Sequence, residues 1–374
     1  MRVTFDSQIF CLQQYGGISR YFASLAREMD RMDGMTAKIV APLHVNEYLS
    51  ELRDGIVSGR KINNRRIPKS FLCVVSAFAE AVLRYGLKPD VVHETYYYPQ
   101  IRGPRRAPLV ISVYDMNYER HPEFFPKGDP MPGWKRAAVE RADHVICISE
   151  NTRRDLIEFC GIAEERVSVT YLGYDPPASM LSRQTADGNC EIPRLSDKPY
   201  LLYVGSRTGC KNFRRLLDAV ASSSWIRRDF NLVCFGGGAF TPDECAMIER
   251  LGLEKCVSQM SGKDSLLAVT YRDAVLFVYP SLYEGFGIPP LEAMSLDCPV
   301  VCSNASSIPE VVGDAAVMFD PSDTDDMRAR LETVLNSGSL REDLVARGRL
   351  RRDLFSWQRC ARETVAIYER ILTA

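Results

Sequence analysis

The sequence has almost no net charge, because its 374 residues include 47 lysines and arginines against 48 aspartates and glutamates. A protein that mainly binds a nucleic-acid backbone carries a basic surface, so this balance argues against nucleic acid as the partner. Long apolar runs are also missing, since the most apolar stretch, 71–83, has 13 residues and contains Ser76 and Glu80. It is too short and too polar to span a bilayer, and the composition of residues 1–17 predicts no secretory signal.

Closely spaced metal ligands are scarce as well. The chain has 12 cysteines but no Cys-x-x-Cys motif, and its 4 histidines are scattered. Because zinc sites use clustered thiolates and imidazoles, this spacing predicts no metal centre. Most of the cysteines lie in apolar runs, which is typical of reduced, buried thiols in a cytoplasmic protein.

Charge is distributed unevenly along the chain. From Arg53 to Arg106 there are 11 basic and 4 acidic residues, a net charge of +7, with the highest density over 60–69. The apolar stretch 71–83 follows directly. A basic patch beside exposed apolar residues is how peripheral proteins hold an anionic membrane surface. Two interpretations stay open: a membrane contact through residues 60–69, or a solvated loop that leads into a core helix.

Short β-rich runs alternate with helical patterns in two series. In the first series strands are predicted at 3–5, 37–41, 90–93, 109–113, 144–148 and 167–171, with helices at 18–29 and 151–159. Residues 175–199 hold four prolines and little apolar periodicity, which indicates a linker or a long surface loop. The second series has strands at 200–204, 232–235, 274–279 and 299–302. Two such series predict two doubly wound α/β domains, whose ligands bind beyond the carboxyl ends of the strands.

Glycines follow several of these strands, at Gly16-Gly17, at Gly205 and at Gly236-Gly237-Gly238. Glycine lets a backbone approach a ligand closely, although tight-turn geometry alone would also explain each site. The spacing Gly-x-Gly-x-x-Gly is absent, so a nicotinamide dinucleotide is not indicated. After Gly205, the cations Arg207 and Lys211 could neutralise a diphosphate without a metal ion, or they could be solvated loop charges.

The most informative segment runs from Tyr279 to Met294. A strand ends at Tyr279, and the pair Pro289-Pro290 fits the first turn of a helix, where a missing N–H is harmless. Glu284 precedes this helix and Glu292 lies within it, so two carboxylates could hold hydroxyls of one bound group. A first-turn acid that complements the helix dipole is the alternative for Glu292.

The two acids enclose Gly-Phe-Gly-Ile-Pro-Pro-Leu, and this segment resembles the signature of the retaining glycosyltransferases of family 4, which have the GT-B fold. Three more motifs resemble those of the family in matching order. They are Tyr15-Gly16-Gly17-Ile18-Ser19-Arg20, Val204-Gly205-Ser206-Arg207 with Lys211-Asn212-Phe213, and Ile308-Pro309-Glu310-Val311-Val312. The similarity covers nearly the whole chain, from Val3 to Trp357.

The resemblance implies an α/β protein with two Rossmann-like doubly wound domains that face each other across a cleft. The expected boundaries are 1–178 for an acceptor-binding domain, 179–198 for a linker and 199–355 for a nucleotide-sugar-binding domain. The remaining residues, 356–374, are expected to form a helix that packs back towards the N-terminal domain.

The resemblance also implies roles for four charged residues. Arg207 and Lys211 would hold the diphosphate of the donor and stabilise its charge as the glycosidic bond breaks. Glu284 would bond hydroxyls of the donor sugar, and Glu292 would bond the ribose of the nucleotide.

Backbone contacts to the donor are implied at two further places. The amides of Phe286, Gly287 and Ile288 would contact sugar or phosphate. Gly16 and Gly17 would bring the backbone of the N-terminal domain close to the diphosphate. No cofactor and no metal are expected beside the nucleotide-sugar substrate.

One departure from the family concerns a His-Asp pair that many relatives carry at the end of an N-terminal strand. Here Tyr114 replaces the histidine, while Asp115 matches the acid. Asp115 is therefore a candidate catalytic residue, with turn capping as the alternative. His93 and Glu94 end another strand and could face the cleft, and the tyrosines at 96–98 could stack on an acceptor sugar.

An Asp-x-Asp sequence of the kind that metal-dependent glycosyltransferases use occurs in the run Asp323-Thr324-Asp325-Asp326. A helical pattern over 327–335 follows it directly. An N-cap and an acidic first turn explain these acids, so the run does not predict a metal site.

The expected function is a cytoplasmic, membrane-associated transfer of a hexose from a nucleotide sugar to a lipid-linked or saccharide acceptor. The best candidate is mannose from GDP-mannose in bacterial surface-polysaccharide synthesis, with UDP-sugars next. The alternatives are a nucleotide-sugar epimerase of the same fold, a phosphorylase, or a non-catalytic nucleotide-sugar-binding subunit.

Overall fold

The computed structural model describes residues 1–62, 68–99, 107–176 and 196–373. The chain divides into two compact units. The first unit comprises Met1–Gly173 and Ser356–Ala374, and the second unit comprises Tyr174–Phe355. The chain thus passes from the first unit to the second close to the predicted boundary at 178, and the predicted linker, 179–198, lies mostly outside the described residues.

The first unit contains a parallel sheet of seven strands in the order β3-β2-β1-β4-β5-β6-β7 among the described residues. Its strands are β1 (Arg2–Phe5), β2 (Thr36–His44), β3 (Val57–Lys61), β4 (Val91–Glu94), β5 (Leu109–Val113), β6 (His144–Cys147) and β7 (Val167–Val169). Its helices are α1 (Gln8–Leu12), α2 (Gly17–Met29), α3 (Lys69–Leu87), α4 (Asn117–Arg120), α5 (Met131–Arg141) and α6 (Glu150–Cys160). The six strands predicted for this region are confirmed.

The second unit contains a parallel sheet of six described strands in the order β10-β9-β8-β11-β12-β13. The strands are β8 (Tyr200–Val204), β9 (Asn231–Phe235), β10 (Val257–Met260), β11 (Leu276–Tyr279), β12 (Val300–Ser303) and β13 (Val317–Phe319). The helices are α7 (Phe213–Ser222), α8 (Ser224–Asp229), α9 (Pro242–Arg250), α10 (Asp264–Asp273), α11 (Ile288–Ser295), α12 (Ile308–Val312), α13 (Thr324–Asn336) and α14 (Gly338–Arg352). The last helix of the chain, α15 (Trp357–Thr373), belongs to the first unit.

Burial explains why these runs form strands. Every residue of β5, β6, β11 and β12 is buried, as expected for parallel strands covered by helices on both faces. The prediction of two doubly wound α/β domains is therefore confirmed. Three strands, β3, β10 and β13, were not predicted, because they are short strands at the edges of the two sheets and carry polar or half-exposed residues.

Helix α15 is tied to the first unit by close packing on α2. A Cβ added to Gly173 would lie 2.2 Å from the backbone nitrogen of Trp357, so the chain before the second unit touches the start of α15. Near its end, the hydroxyl of Tyr368 hydrogen-bonds Nδ1 of His93 in β4. The final segment is thus part of the core of the first unit.

The described cysteines are free thiols, and eight of these eleven are buried. Burial raises the pKa of thiols such as those of Cys298 and Cys302 well above their usual range, because it penalises the thiolate. The prediction of buried cysteines is confirmed for these eight, whereas Cys245 is exposed.

The apolar stretch after the basic segment forms helix α3, which has one buried face and one exposed face. Leu72, Ser76 and Glu80 are buried on one side, where the Glu80 carboxylate accepts hydrogen bonds from the backbone N–H and hydroxyl of Ser7. The opposite side is exposed and apolar. No helix within the described ranges is long and apolar enough to cross a membrane. Residues 63–67 of the predicted membrane-contact segment lie outside the described residues.

Candidate active site

The segment between β11 and α11 has the predicted strand–loop–helix form. Gly287 precedes the helix with φ +112°, a left-handed conformation that strongly favours glycine. Pro289 and Pro290 occupy the first turn, as the sequence predicted. The side chain of Phe286 is buried and packs edge-on against Phe355 with ring centroids 5.7 Å apart. This packing fixes the loop from which Glu284 projects.

Glu284 and Lys211 form an ion pair, called here the lysine–glutamate pair. The Lys211 Nζ lies 2.6 Å from Oε1 of Glu284, with 33% of the lysine side chain and 13% of the glutamate side chain exposed. The backbone of Glu284 is held by two serines, because its N–H donates to Oγ of Ser306 and its carbonyl accepts from Oγ of Ser307. The backbone of Glu284 is thus fixed, while a third of the Lys211 side chain is exposed to solvent.

Tyr279 supports the carboxylate from inside the unit. Burial raises the pKa of Tyr279 well above its usual range, and the charge of Glu284 and a hydrogen bond to it raise that pKa further. The phenol therefore stays protonated beside the Glu284 carboxylate. The sequence predicts Tyr279 only as a strand end, and its spacing from Glu284 gives no signal of this proximity.

Lys211 reaches Glu284 because two loops that are distant in sequence are joined. The side-chain amide of Asn212 donates to the carbonyls of Pro280 and Pro321, at 3.0 Å and 2.8 Å. The backbone N–H of Leu282 donates to the carbonyl of Cys210 at 2.7 Å. Asn212 has φ +56°, which asparagine tolerates better than most residues. It is a site residue whose positioning role the sequence analysis missed.

Glu292 lies within α11, as predicted. Its Oε2 accepts a hydrogen bond of 3.2 Å from the hydroxyl of Tyr271, which is fully buried in α10. Burial raises the pKa of Tyr271 well above its usual range, and the neighbouring Glu292 charge raises it further. A neutral phenol therefore holds one carboxylate oxygen of Glu292.

Arg207 is buried and has many partners within the second unit. Its Nη1 donates to the carbonyl of Gly236, and its Nη2 donates to those of Gly238 and Ala239, all at 2.9–3.0 Å. Its Nε pairs with the Glu244 carboxylate at 2.9 Å. The predicted diphosphate contact of Arg207 remains a prediction, and it would require the guanidinium to exchange some of these partners.

The three glycines after β9 all have left-handed backbones, with φ +88°, +69° and +75° at Gly236, Gly237 and Gly238. A Cβ added to Gly237 would lie 2.6 Å from Nη1 of Arg207. Glycine is therefore needed here both for the backbone and for the packing of the guanidinium. Gly205 ends β8 with φ +127°, so the predicted glycine turns at both strand ends are confirmed.

In the first unit, Gly16 and Gly17 lie at the start of α2. A Cβ at Gly16 would lie 2.2 Å from Oε1 of Gln13, and this same oxygen accepts a hydrogen bond from the N–H of Ser19. A Cβ at Gly17 would meet nothing within 4 Å. The backbone of Gly17 is thus open on the side where a side chain would project. Whether it approaches a diphosphate stays a prediction.

Asp115 follows Tyr114 at the carboxyl end of β5. Its Oδ1 accepts from the N–H of Asn117 at 3.0 Å, which is the turn-capping contact considered above, and its side chain is half-buried. The hydroxyl of Tyr114 donates to the carbonyl of Thr95 at 2.8 Å inside the core. Tyr114 is thus a buried structural residue, and the catalytic role of Asp115 remains a prediction.

The expectation that His93 and Glu94 could face a ligand is wrong. His93 is fully buried, and its Nε2 lies 2.9 Å from Oγ of Ser112. Burial lowers the pKa of His93 to about 3. Glu94 is also buried, paired with Arg141. Both residues face the interior because their strand is covered on both sides.

The acidic run before α13 caps that helix, as predicted. The Asp323 side chain accepts from the N–H groups of Asp325 and Asp326, at 2.9 Å and 3.0 Å. Throughout the described ranges, no group of three or more His, Cys, Asp and Glu side chains is arranged to hold a metal ion.

Two family models match the chain in succession. The model of glycosyltransferase family 4 matches residues 15–177, and the model of glycosyl transferases group 1 matches residues 191–351. The O-antigen chain mannosyltransferase B of Escherichia coli is 31% identical over 73% of this chain and 74% of its own length. The serotype-specific mannosyltransferase WbdA of Escherichia coli is 30% identical over 64% of this chain, which spans only 30% of that longer protein.

The fold has solved counterparts. The Anabaena protein HepE, crystallised with UDP and glucose, superposes with a TM-score of 0.71 at 17% identity, covering 99% of each chain. At this identity the likeness shows the GT-B fold alone. Together with the family models and the mannosyltransferase relatives, it shows that the chain is a GT-B glycosyltransferase and belongs to glycosyltransferase family 4.

Proposed function

We propose that this glycosyltransferase moves a hexose from a nucleotide sugar to a lipid-linked or saccharide acceptor, with retention of the anomeric configuration. The preferred donor is GDP-mannose, and the product belongs to a bacterial surface polysaccharide such as an O-antigen or an exopolysaccharide. The Escherichia coli relative that aligns with this chain over 74% of its own length is named as an O-antigen chain mannosyltransferase. This name supports both the sugar and the pathway.

The lysine–glutamate pair is the observation that carries this proposal. When a nucleotide sugar reacts, the bond between the anomeric carbon and the diphosphate oxygen breaks, and negative charge develops on the diphosphate. The partly exposed side chain of Lys211 carries a fixed cation that stabilises this charge without a metal ion. The Glu284 carboxylate, which lies beside the buried Tyr279 phenol, accepts hydrogen bonds from sugar hydroxyls.

Retention follows if the acceptor attacks on the face that the diphosphate leaves. The acceptor hydroxyl oxygen then bonds to the anomeric carbon as the bond to the diphosphate breaks. The hydroxyl proton passes to a diphosphate oxygen, so the products are a glycoside and a nucleoside diphosphate. This route needs no protein nucleophile, no cofactor and no metal, and Glu284, Lys211 and Glu292 serve to orient and stabilise.

The test is a transfer assay with radiolabelled GDP-mannose and UDP-hexoses, with membrane extracts as the acceptor source. Glu284→Gln should lower transfer from the preferred donor by about a hundredfold or more, because a preorganised carboxylate is lost. Glu254→Gln, at an exposed glutamate of the same unit, is the matched control and should retain full activity. Full activity of Glu284→Gln would refute the site, and absence of turnover with every donor would refute the function.

The assay also separates two of the alternative functions from transfer. A nucleotide-sugar epimerase would release an altered sugar without any acceptor. A non-catalytic subunit would bind the nucleotide, seen as a rise in melting temperature, and transfer nothing. The ion pair of Lys211 and Glu284 at the open end of a strand favours catalysis over a binding subunit.

We further propose that the protein works at the cytoplasmic face of the membrane and contacts anionic lipid near residues 60–69. Support comes from α3, where Phe71, Val74 and Phe78 are 61%, 64% and 72% exposed on one face of the helix that follows the basic segment. Three large apolar side chains in water are costly unless a surface covers them. The exposed, basic Arg60 and Lys88 lie in sequence on either side of this helix.

Vesicle sedimentation tests this contact. The wild-type protein should sediment with phosphatidylglycerol vesicles and not with neutral phosphatidylcholine vesicles. The variant Phe71→Ser/Phe78→Ser should lose most of this binding. Leu350→Ser, at an apolar residue of the second unit that is 75% exposed, is the control and should bind normally. Normal binding by the double variant would refute the role of α3.

A further inference from the structure

Three aromatic side chains gather beyond the carboxyl end of β4, and we call them the aromatic cluster: Tyr96, Tyr98 and Trp134. The rings of Tyr98 and Trp134 have centroids 4.7 Å apart, and those of Tyr96 and Tyr98 are 6.2 Å apart with 30° between their planes. Each of the three side chains is partly exposed. They lie on two separate segments, so the tertiary fold brings them together.

Core packing accounts for Tyr97 but not for its two neighbours. In the segment after β4, the Tyr97 ring stacks on the Tyr96 ring, with centroids 4.9 Å apart and 29° between the ring planes. Tyr97 is buried, and its hydroxyl accepts from the N–H of Tyr114 at 3.2 Å. The structural role in this segment is therefore filled by Tyr97, while Tyr96 and Tyr98 keep ring surface open to solvent.

Two carboxylates lie beside these rings. Burial raises the pKa of Tyr98, and the negative charge of Asp129 also raises it, while Oδ1 of Asp129 accepts a hydrogen bond from the N–H of Met131 at 2.9 Å. Partial burial raises the pKa of Tyr96 to about 12, and the negative charge of Asp115 is the next cause. The phenols are therefore neutral donors placed beside acceptor oxygens.

This combination has the chemistry of a sugar-binding surface. Aromatic rings pack against the C–H face of a pyranose, and carboxylates and phenols bond its hydroxyls. The nearby cation is not available for a phosphate, since Lys135 has a side chain only 2% exposed and donates to Glu119 and to the Asp115 carbonyl. The surface thus favours a neutral sugar over a phosphorylated head group.

We infer that the aromatic cluster binds a neutral pyranose of the saccharide acceptor, with Tyr98 and Trp134 as the stacking pair and Asp129 as a hydroxyl acceptor. This inference rests on the proposed function, because it assigns the acceptor side of the same reaction. It places sugar recognition on the first unit, in residues outside every motif that carried the family resemblance.

Binding is tested on the full chain without any donor. The chain has three tryptophans, so a fluorotryptophan-labelled protein gives three fluorine resonances, and Trp134→Phe assigns one of them. Titration with methyl α-mannopyranoside and with mannobiose should shift the Trp134 resonance and leave those of Trp225 and Trp357 in place. An unmoved Trp134 resonance at the solubility limit of both sugars would overturn the inference. This result does not depend on whether the protein turns over a nucleotide sugar.

Kinetics give the second test. In Trp134→Ala and Tyr98→Ala the KM for acceptor should rise by about tenfold or more, because stacking area is lost, while the KM for donor and the slow hydrolysis of donor stay unchanged. Trp134→Phe should recover much of the loss, and Trp225→Phe in the second unit is the control. A change in donor KM or in melting temperature with an unchanged acceptor KM would show a structural role and overturn the inference. Failure of the wild-type protein to turn over any donor would instead refute the proposed function.

Discussion

Arg207 and Glu244 form an ion pair inside the second unit, with Nε 2.9 Å from Oε1 and only 2% of the arginine side chain exposed. Burial acts to raise the pKa of Glu244, but hydrogen bonds from Arg207 and the Thr241 backbone, together with the Arg207 charge, bring that pKa below its usual range. The same guanidinium holds three carbonyls of the glycine turn after β9 at 2.9–3.0 Å. The pair therefore shapes the turn as well as stabilising the unit.

The first prediction concerns this pair. Arg207→Met leaves the Glu244 carboxylate and several carbonyls without their donor, and it should destabilise the second unit by about 3 kcal/mol or more. Urea unfolding measures this loss. Arg207→Lys should recover part of it, since a lysine keeps the charge but not the planar set of donors.

The alternative is that Arg207 acts on the donor and contributes little to stability. If Arg207 mainly binds the diphosphate of the donor, Arg207→Met should leave the unfolding free energy unchanged and raise the KM for donor alone. Glu244→Gln is the matched variant, because it weakens the ion pair and leaves Arg207, the residue predicted to bind the donor, unchanged. An effect on donor KM without an effect on stability would favour the predicted catalytic role of Arg207.

The second prediction isolates the support of Glu284. Tyr279→Phe removes one hydroxyl that lies beside the Glu284 carboxylate and leaves the ring in the core. If this hydroxyl orients the carboxylate, its loss removes a hydrogen bond to a charged group, which contributes about 1.5–3 kcal/mol, so kcat/KM should fall by roughly ten- to a hundredfold. Steady-state kinetics measure the fall, and circular dichroism verifies the fold. Unchanged kcat/KM would mean that the orientation of Glu284 does not depend on Tyr279.

The third prediction concerns the open backbone at Gly17. A methyl group there meets no protein atom within 4 Å, so Gly17→Ala should leave stability unchanged or slightly higher. If the backbone approaches the diphosphate, the added methyl group should raise the donor KM by about tenfold, because it intrudes on the ligand. Gly86→Ala in α3 is the control, since a Cβ there also meets nothing within 4 Å. Equal kinetics in both variants would remove Gly17 from the site.

Local chain signals were sufficient to predict much of the fold and the form of the site. Apolar runs bounded by turns predicted the buried strands, and Gly287 with Pro289 and Pro290 predicted the start of α11. What they could not predict are contacts between distant segments. The side chain of Asn212 bonds carbonyl groups that lie 68 and 109 residues away in the sequence, and Arg207 pairs with Glu244, which lies 37 residues away.

The same limit explains the wrong interpretation of His93. A histidine at the end of a strand has the same local pattern whether it faces a ligand or the core. His93 hydrogen-bonds Tyr368, which is 275 residues away in α15, and its ring packs against Phe5 and Phe22. Contacts between distant segments therefore decide the environment of His93.

The fourth prediction follows from this burial. His93 has a pKa of about 3 in the folded protein, lowered by burial, against about 6.5 in an unfolded chain. Above about pH 6.5 both states carry the neutral ring and stability does not depend on this group. As the pH falls below that value, the unfolded chain binds a proton that the folded chain does not, so stability is lost progressively down to about pH 3.

The expected loss is about 1.4 kcal/mol per pH unit for each such histidine. Urea unfolding of the wild-type protein at several pH values between 7 and 5 measures the slope. His93→Gln should reduce the slope by about this amount, even if it lowers stability at neutral pH. His144, whose pKa burial lowers to about 4, acts in the same direction, so the double variant should lose both contributions. If His93→Gln keeps the wild-type slope, the buried imidazole does not carry the acid sensitivity of the first unit, and other groups that bind protons on unfolding must do so.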